Sequence, residues 1–186
     1  MVKKIAATLL SLSVLLAGCA SAEPITGEPE TLLVDLLSAA DQKLPAGGQT
    51  PDAENVEITA ETAQNAIGLT PDQFNQTVAS AWQARSLLSV SAETTVLIKA
   101  KDASAANEVA KLIASGFDSG QWICVAPERS EVAAAGSFVL LAVGTQEKTQ
   151  AVFEAFNELA GGKASEPNVF FTSDRQGGDT DIEIAP

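Results

Sequence analysis

Apolar residues fall into distinct runs along this chain. The first, Ile5 to Ala17, is thirteen residues long, uncharged and mostly apolar, and follows Lys3 and Lys4. A bilayer-spanning helix needs about twenty apolar residues, so this run reads as the core of a secretory signal. Further on, Leu33, Leu36, Leu37 and Ala40 recur at helical spacing and predict an amphipathic helix over about 30–43. Pro45-Ala46-Gly47-Gly48 stops it, and a polar linker runs to about Glu54. Thr59 is placed to cap a short helix over Ala60–Ile67, closed by Gly68. Thr70-Pro71-Asp72-Gln73 has the form of a capping box with proline at the first helical position.

Strand patterns are fewer. Residues 74–85 fit a continuing helix or a strand around Thr77–Trp82, and a strand after one helical turn is the expectation. Thr94–Lys101 alternates, with Val96, Ile98 and Ala100 on one side and Thr95, Lys99 and Lys101 on the other. Asp102 then caps a helix to about Ser115, with Val109, Leu112 and Ile113 on its buried side and Gly116 at its end. Trp122–Val125 is a candidate short strand. Phe138–Val143 is apolar throughout, as a central strand covered on both faces would be. Gly136 makes the turn into it from residues 131–135. Thr145 caps the last helix, where Val152, Phe156 and Leu159 form the stripe and Gly161-Gly162 closes it. Val169-Phe170-Phe171 fits an edge strand, and Gly177-Gly178 a turn into another ending at Ile182 and Ile184; a disordered tail fits equally.

These elements predict an α+β domain. Its antiparallel sheet has three to four strands, built from 77–82, 94–101 and 138–143, with helices packed on one face. The chain divides into a signal peptide (1–18), a tether (19–30), the domain (31–162) and a C-terminal extension (163–186), partly disordered or an edge hairpin.

Cysteine gives the apolar N-terminal run a further meaning. Leu16-Ala17-Gly18-Cys19 is the cleavage pattern of bacterial lipoproteins: the bond between Gly18 and Cys19 is cut and the Cys19 thiol is acylated. Two or three acyl chains make a lasting anchor, where one would be marginal. The alternative is an ordinary secretory signal cut near Ala20 or Ala22. Ala20 rather than aspartate follows the cysteine, so there is no retention signal of the Gram-negative kind. With Cys19 lipidated, Cys124 has no partner in the chain, and its apolar neighbours Ile123 and Val125 suit core packing.

Charge narrows the partners. The chain has 24 acids against 11 bases, net −13; losing Lys3 and Lys4 with the signal makes it −15. Such a surface repels phosphate backbones, which argues against nucleic acid. It also disfavours lying on anionic lipid. Membrane contact is therefore expected through the anchor alone, on the extracytoplasmic face.

The chemistry-bearing side chains are sparse. There is no histidine and no tyrosine, which removes the commonest general base and any Ser-His or Cys-His nucleophile. Neither Ser-x-x-Lys, Gly-x-Ser-x-Gly nor a phosphate-cradling glycine loop is present. No catalytic, cofactor-binding or metal-ligating residue is therefore assigned, and no cofactor is expected. Asp174 and Asp179-Thr180-Asp181-Ile182-Glu183 offer oxygen ligands without EF-hand spacing, and a solvated tail is the plainer reading. Trp82 and Trp122 suit core anchoring or a stacking platform for a sugar or peptide. Lys99 and Lys101 could meet an acidic partner or simply face solvent.

Several segments also resemble a known family. They are Ile67-Gly68-Leu69, Ser89-Val90-Ser91-Ala92-Glu93 leading to Lys101-Asp102, and Gly136-Ser137-Phe138-Val139-Leu140 with its closing helix. Together, over about 32–159, they resemble a domain-of-unknown-function family of small lipoproteins from Gram-positive, clostridial-type anaerobes. Where this chain has Glu93-Thr94-Thr95 the family has an acid followed by a hydrophobe, and tyrosine is frequent at the place of Phe138. The resemblance implies an anchored one-domain lipoprotein and carries no activity. The expected function is a lipid-anchored extracytoplasmic protein, non-catalytic, that binds an envelope protein or small ligand. The alternative is an envelope hydrolase using carboxylates.

Overall fold

Residues 138–144 form the centre of the molecule because they are buried on both sides. In the computed structural model, which describes residues 25–45, 53–86, 91–122 and 125–175, this strand is one of six in a single antiparallel sheet. The strands are β1 (Ala53–Glu57), β2 (Val78–Ser86), β3 (Thr94–Ala100), β4 (Arg129–Ala135), β5 (Phe138–Gly144) and β6 (Asn168–Thr172). Their spatial order is β1-β2-β3-β5-β4-β6. Between them run α1 (Pro29–Asp41), α2 (Ala63–Ile67), α3 (Pro71–Thr77), α4 (Ala103–Gly116) and α5 (Gln146–Leu159).

Six strands rather than three or four is the first correction, and the layering is the second. The helices lie on both faces of the sheet, not one. Successive strand side chains point to opposite faces, and both sets here are apolar. Trp82, Leu97, Leu140 and Ala133 align across the strands on the side covered by α1 and α5. Ala81, Ile98, Val139 and Ala134 align on the side covered by α2, α3 and α4. The face of β3 that reads as polar carries Leu97, fully buried, and Thr95, 5% exposed. Leu33, Leu36 and Leu37 of α1 bury in the same core as Leu97. Each such leucine contributes about 1.5–3 kcal/mol of burial.

Local chemistry sets the element ends. Thr70 Oγ1 accepts from the Gln73 amide while Gln73 Oε1 accepts from the Thr70 amide, a complete capping box. Asp102 Oδ1 accepts from Ala105 N at 2.8 Å, and Thr145 Oγ1 from Lys148 N at 3.2 Å. The short helix begins at Ala63 with Thr62 as its cap, three residues later than expected, because Thr59 and Thr62 first close a turn. On α5, Val152 and Phe156 are buried but Leu159 is 36% exposed, at the helix end. Residues 131–135, which lead into the turn at Gly136, belong to β4. Gly136 and Ser137 alone make a two-residue hairpin loop to β5, with φ +58° at Gly136.

β6 supplies the edge strand expected around residues 169–171. Gln121, Trp122 and Val125 belong to no strand. The signal, Gly18 and Cys19, Cys124 and the segment 176–186 lie outside the described residues. Among the described residues no helix is long and apolar enough to cross a membrane.

Candidate functional site

The sheet face under α2 and α4 changes character along β2. Ala81 is buried there, Gln83 is half-buried and Arg85 is exposed. This polar end of the strand floors a groove between α2 and the loop after α4. One part, about 310 Å3, is lined by Val56, Glu61, Asn65, Gln83, Arg85 and Gln121, among others. The adjoining part, about 230 Å3, shares Gln83, Arg85 and Gln121 and adds Trp122, Ser91 and Glu93.

Several side chains in the groove have defined partners. Gln83 Nε2 donates to Thr94 Oγ1 at 2.9 Å, and Thr94 Oγ1 donates in turn to the Ala84 carbonyl. Arg85 pairs with Glu54 of the facing edge strand at 3.0 Å; both are half exposed, so the pair contributes little to stability. Gln121 Nε2 donates to the Asp118 carbonyl at 3.1 Å. Trp122 tilts against Phe117 with ring centroids 6.3 Å apart, and Phe117 meets Phe170 edge-on at 6.0 Å. The Thr59 hydroxyl, donating to Glu61, holds that carboxyl below its ordinary value. Amides and hydroxyls can donate and accept hydrogen bonds to a polar ligand, the guanidinium and the indole N–H can donate, and the indole ring can stack.

A second cavity of about 180 Å3 lies between the starts of β3 and α5, lined by Ser91, Glu93, Val125, Pro127, Glu128 and Thr145, among others. Glu93 Oε2 accepts from Lys148 Nζ at 2.8 Å, and Glu128 Oε2 from the Gln146 amide at 3.0 Å. Two carboxylates thus border one cleft.

Glu131 on β4 is a different kind of group. It is 2% exposed, and Arg129 donates to its Oε2 through Nε at 2.7 Å and through the guanidinium end at 2.6 Å. Its Oε1 is buried with no hydrogen-bond partner among the described residues. It sits where the β4–β6 register slips between Ser130 and Glu131. Burial raises its pKa, and Arg129 offsets that only in part. A carboxyl whose folded pKa is raised contributes stability that is complete below the unfolded value of about 4.3. That contribution is lost as pH climbs through the folded value. Glu131→Gln should therefore melt about 3 °C higher than the parent at pH 8 and no higher near pH 4, measured by circular dichroism. A lower melting temperature at pH 8 would refute the assignment.

The tryptophans separate: Trp82 packs from the α1 side of the sheet, while Trp122 lines the groove. The two lysines bind within the chain. Lys99 donates to Glu28 at 2.8 Å, and this contact lowers the Glu28 pKa; Lys101 donates to the Asn75 carbonyl at 2.6 Å. No group of three or more His, Cys, Asp or Glu side chains suited to a metal occurs among the described residues. Gln83, Arg85, Gln121 and Glu131 were not singled out by sequence. The only signal for the first two was polar residues at alternate positions after Ala81.

Comparison with known proteins returns no match, whether to a family model, a curated protein or a solved structure.

Proposed function

We propose that this chain is a lipid-anchored extracytoplasmic protein whose domain binds a ligand or envelope protein without catalysis. The observation that carries the reading is Leu16-Ala17-Gly18-Cys19, which closes a short basic start and a mostly apolar run from Ile5. The resemblance to small clostridial-type lipoproteins belongs to the same proposal. Glu28 and the Gly27 carbonyl accept from Lys99 near the end of β3, whereas Ser91, Glu93 and Thr94 border the groove at the start of β3. A chain held by Cys19 would reach no more than about 30 Å before Glu28 is fixed.

Growth with an alkyne-tagged fatty acid tests the anchor. The parent chain should carry the tag and sediment with membranes, and Cys19→Ser should carry none. An untagged parent, or one found in the cytosol, sinks the reading. The carboxylate hydrolase remains a second proposal because Glu93 and Glu128 border one cavity. Turnover of envelope glycan or peptide by the membrane-extracted chain, lost in Glu128→Gln, would replace the non-catalytic role with that one.

A further inference from the structure

We infer that the groove over β2 is a carbohydrate site, taking a short stretch of neutral oligosaccharide. The inference rests on the binding role proposed above and names its ligand class. Its starting point is where the polar residues lie. On this face the neighbouring strand contributes Val96 and Ile98, both fully buried, and β2 itself contributes Ala81. A sheet that only had to be covered would continue apolar. Instead β2 places Gln83 and Arg85 there, facing Asn65 and Gln121 across open space.

The chemistry of that lining selects the ligand. A sugar hydroxyl both donates and accepts, and side-chain amides do the same. Trp122 packs against Phe117 and borders the groove, so its ring offers an aromatic surface on which an apolar sugar face can rest. Two adjoining spaces sharing three residues suit a ligand of several linked rings better than one small compact molecule. Charge disfavours the main competitors. Glu57, Glu61 and Glu93 border the groove against a single Arg85, itself paired with Glu54, which repels phosphates and acidic polymers. Most acids that would attract a basic peptide already have partners, Glu93 in Lys148, Glu54 in Arg85 and Glu61 in Thr59, which leaves Glu57 alone with none among the described residues. A neutral ligand needs none of these bonds broken.

Tryptophan fluorescence of the membrane-extracted full chain tests this. The probes are chitotetraose, maltotetraose, a uronic-acid tetrasaccharide and tetralysine. At least one neutral tetrasaccharide should shift the emission at about 10 mM, where a site of ~1 mM dissociation constant is nearly full. The shift should survive Trp82→Phe and vanish in Trp122→Phe. By calorimetry, Gln83→Ala should weaken binding about tenfold while its circular dichroism spectrum stays that of the parent. Silence with both neutral probes overturns the inference. So does preference for tetralysine or the uronic acid, or unchanged affinity in both groove variants. Acylation of Cys19 is read by tag incorporation, so the anchor and the ligand class fail separately.

Discussion

Gly68→Ala should remove about 4 kcal/mol of stability, more than any other glycine substitution in the described domain. Two costs add at this position. Gly68 closes α2 in the left-handed region at φ +77°, where a side chain costs roughly 1–2 kcal/mol. A Cβ there would also lie 2.3 Å from the carbonyl carbon of Gly116 and 2.5 Å from Phe117 N. Those atoms are backbone at the end of α4 and cannot rotate aside. The two glycines let the ends of α2 and α4 touch directly over the sheet. Gly116→Ala isolates the steric part, since its Cβ would meet the Gly68 carbonyl oxygen at 2.7 Å; a loss of about 2 kcal/mol is expected. Gly136→Ala isolates the dihedral part, because φ is +58° with nothing within 4 Å; about 1 kcal/mol is expected. Urea unfolding of the three variants gives the order, and Gly68→Ala no worse than Gly136→Ala would refute the close approach.

That contact also shows why the sheet was only partly legible. Elements whose pattern is set locally could be read: the caps at Thr70, Asp102 and Thr145, the uniformly apolar β5, and the alternation of β3. The missing strands depend on neighbours far along the chain. β4 contains Glu131-Val132-Ala133-Ala134-Ala135, a composition that favours helix. It is strand because β5 and β6 pair with both its edges, and because Ala133 and Ala135 leave room for the core under α5. β1 is an exposed edge with Glu54 and Glu57, so no apolar rhythm marks it. Such charges are how edge strands avoid pairing with other molecules.

The one-face expectation failed for a related reason. Thr95 and Lys99 make one side of β3 read as solvent-facing. Lys99 reaches past the core to Glu28, and Thr95 is closed over near Leu37 of α1. A long side chain can hide its stem and keep its charge outside. Of the groove, alternate polarity along β2 was visible, but its meaning was not. Only the fold shows that Gln83 and Arg85 face Gln121 and Trp122 from distant parts of the chain.

Glu93→Ala should cost about 3 kcal/mol, more than Lys148→Met. Lys148 is an unusual residue for its position. It lies in the first turn of α5, where the backbone already presents positive charge and acids are preferred. Its side chain is also 8% exposed. Glu93, 21% exposed and 2.8 Å away, compensates both penalties. Removing the carboxylate strands a buried ammonium beside a helix N-terminus. Removing the ammonium instead leaves a carboxylate that water still reaches, and methionine refills the space. Changing both to apolar residues, as in Glu93→Leu with Lys148→Met, should recover most of the loss, since a buried pair contributes little beyond an apolar replacement. Urea midpoints give the order, and a loss in Lys148→Met as large as in Glu93→Ala would refute the argument. The same pair joins the start of β3 to α5 at the border shared by both cavities. If the groove binds sugar, the double apolar variant should therefore keep its fold and lose affinity, separating what this ion pair does for stability from what it does for the site.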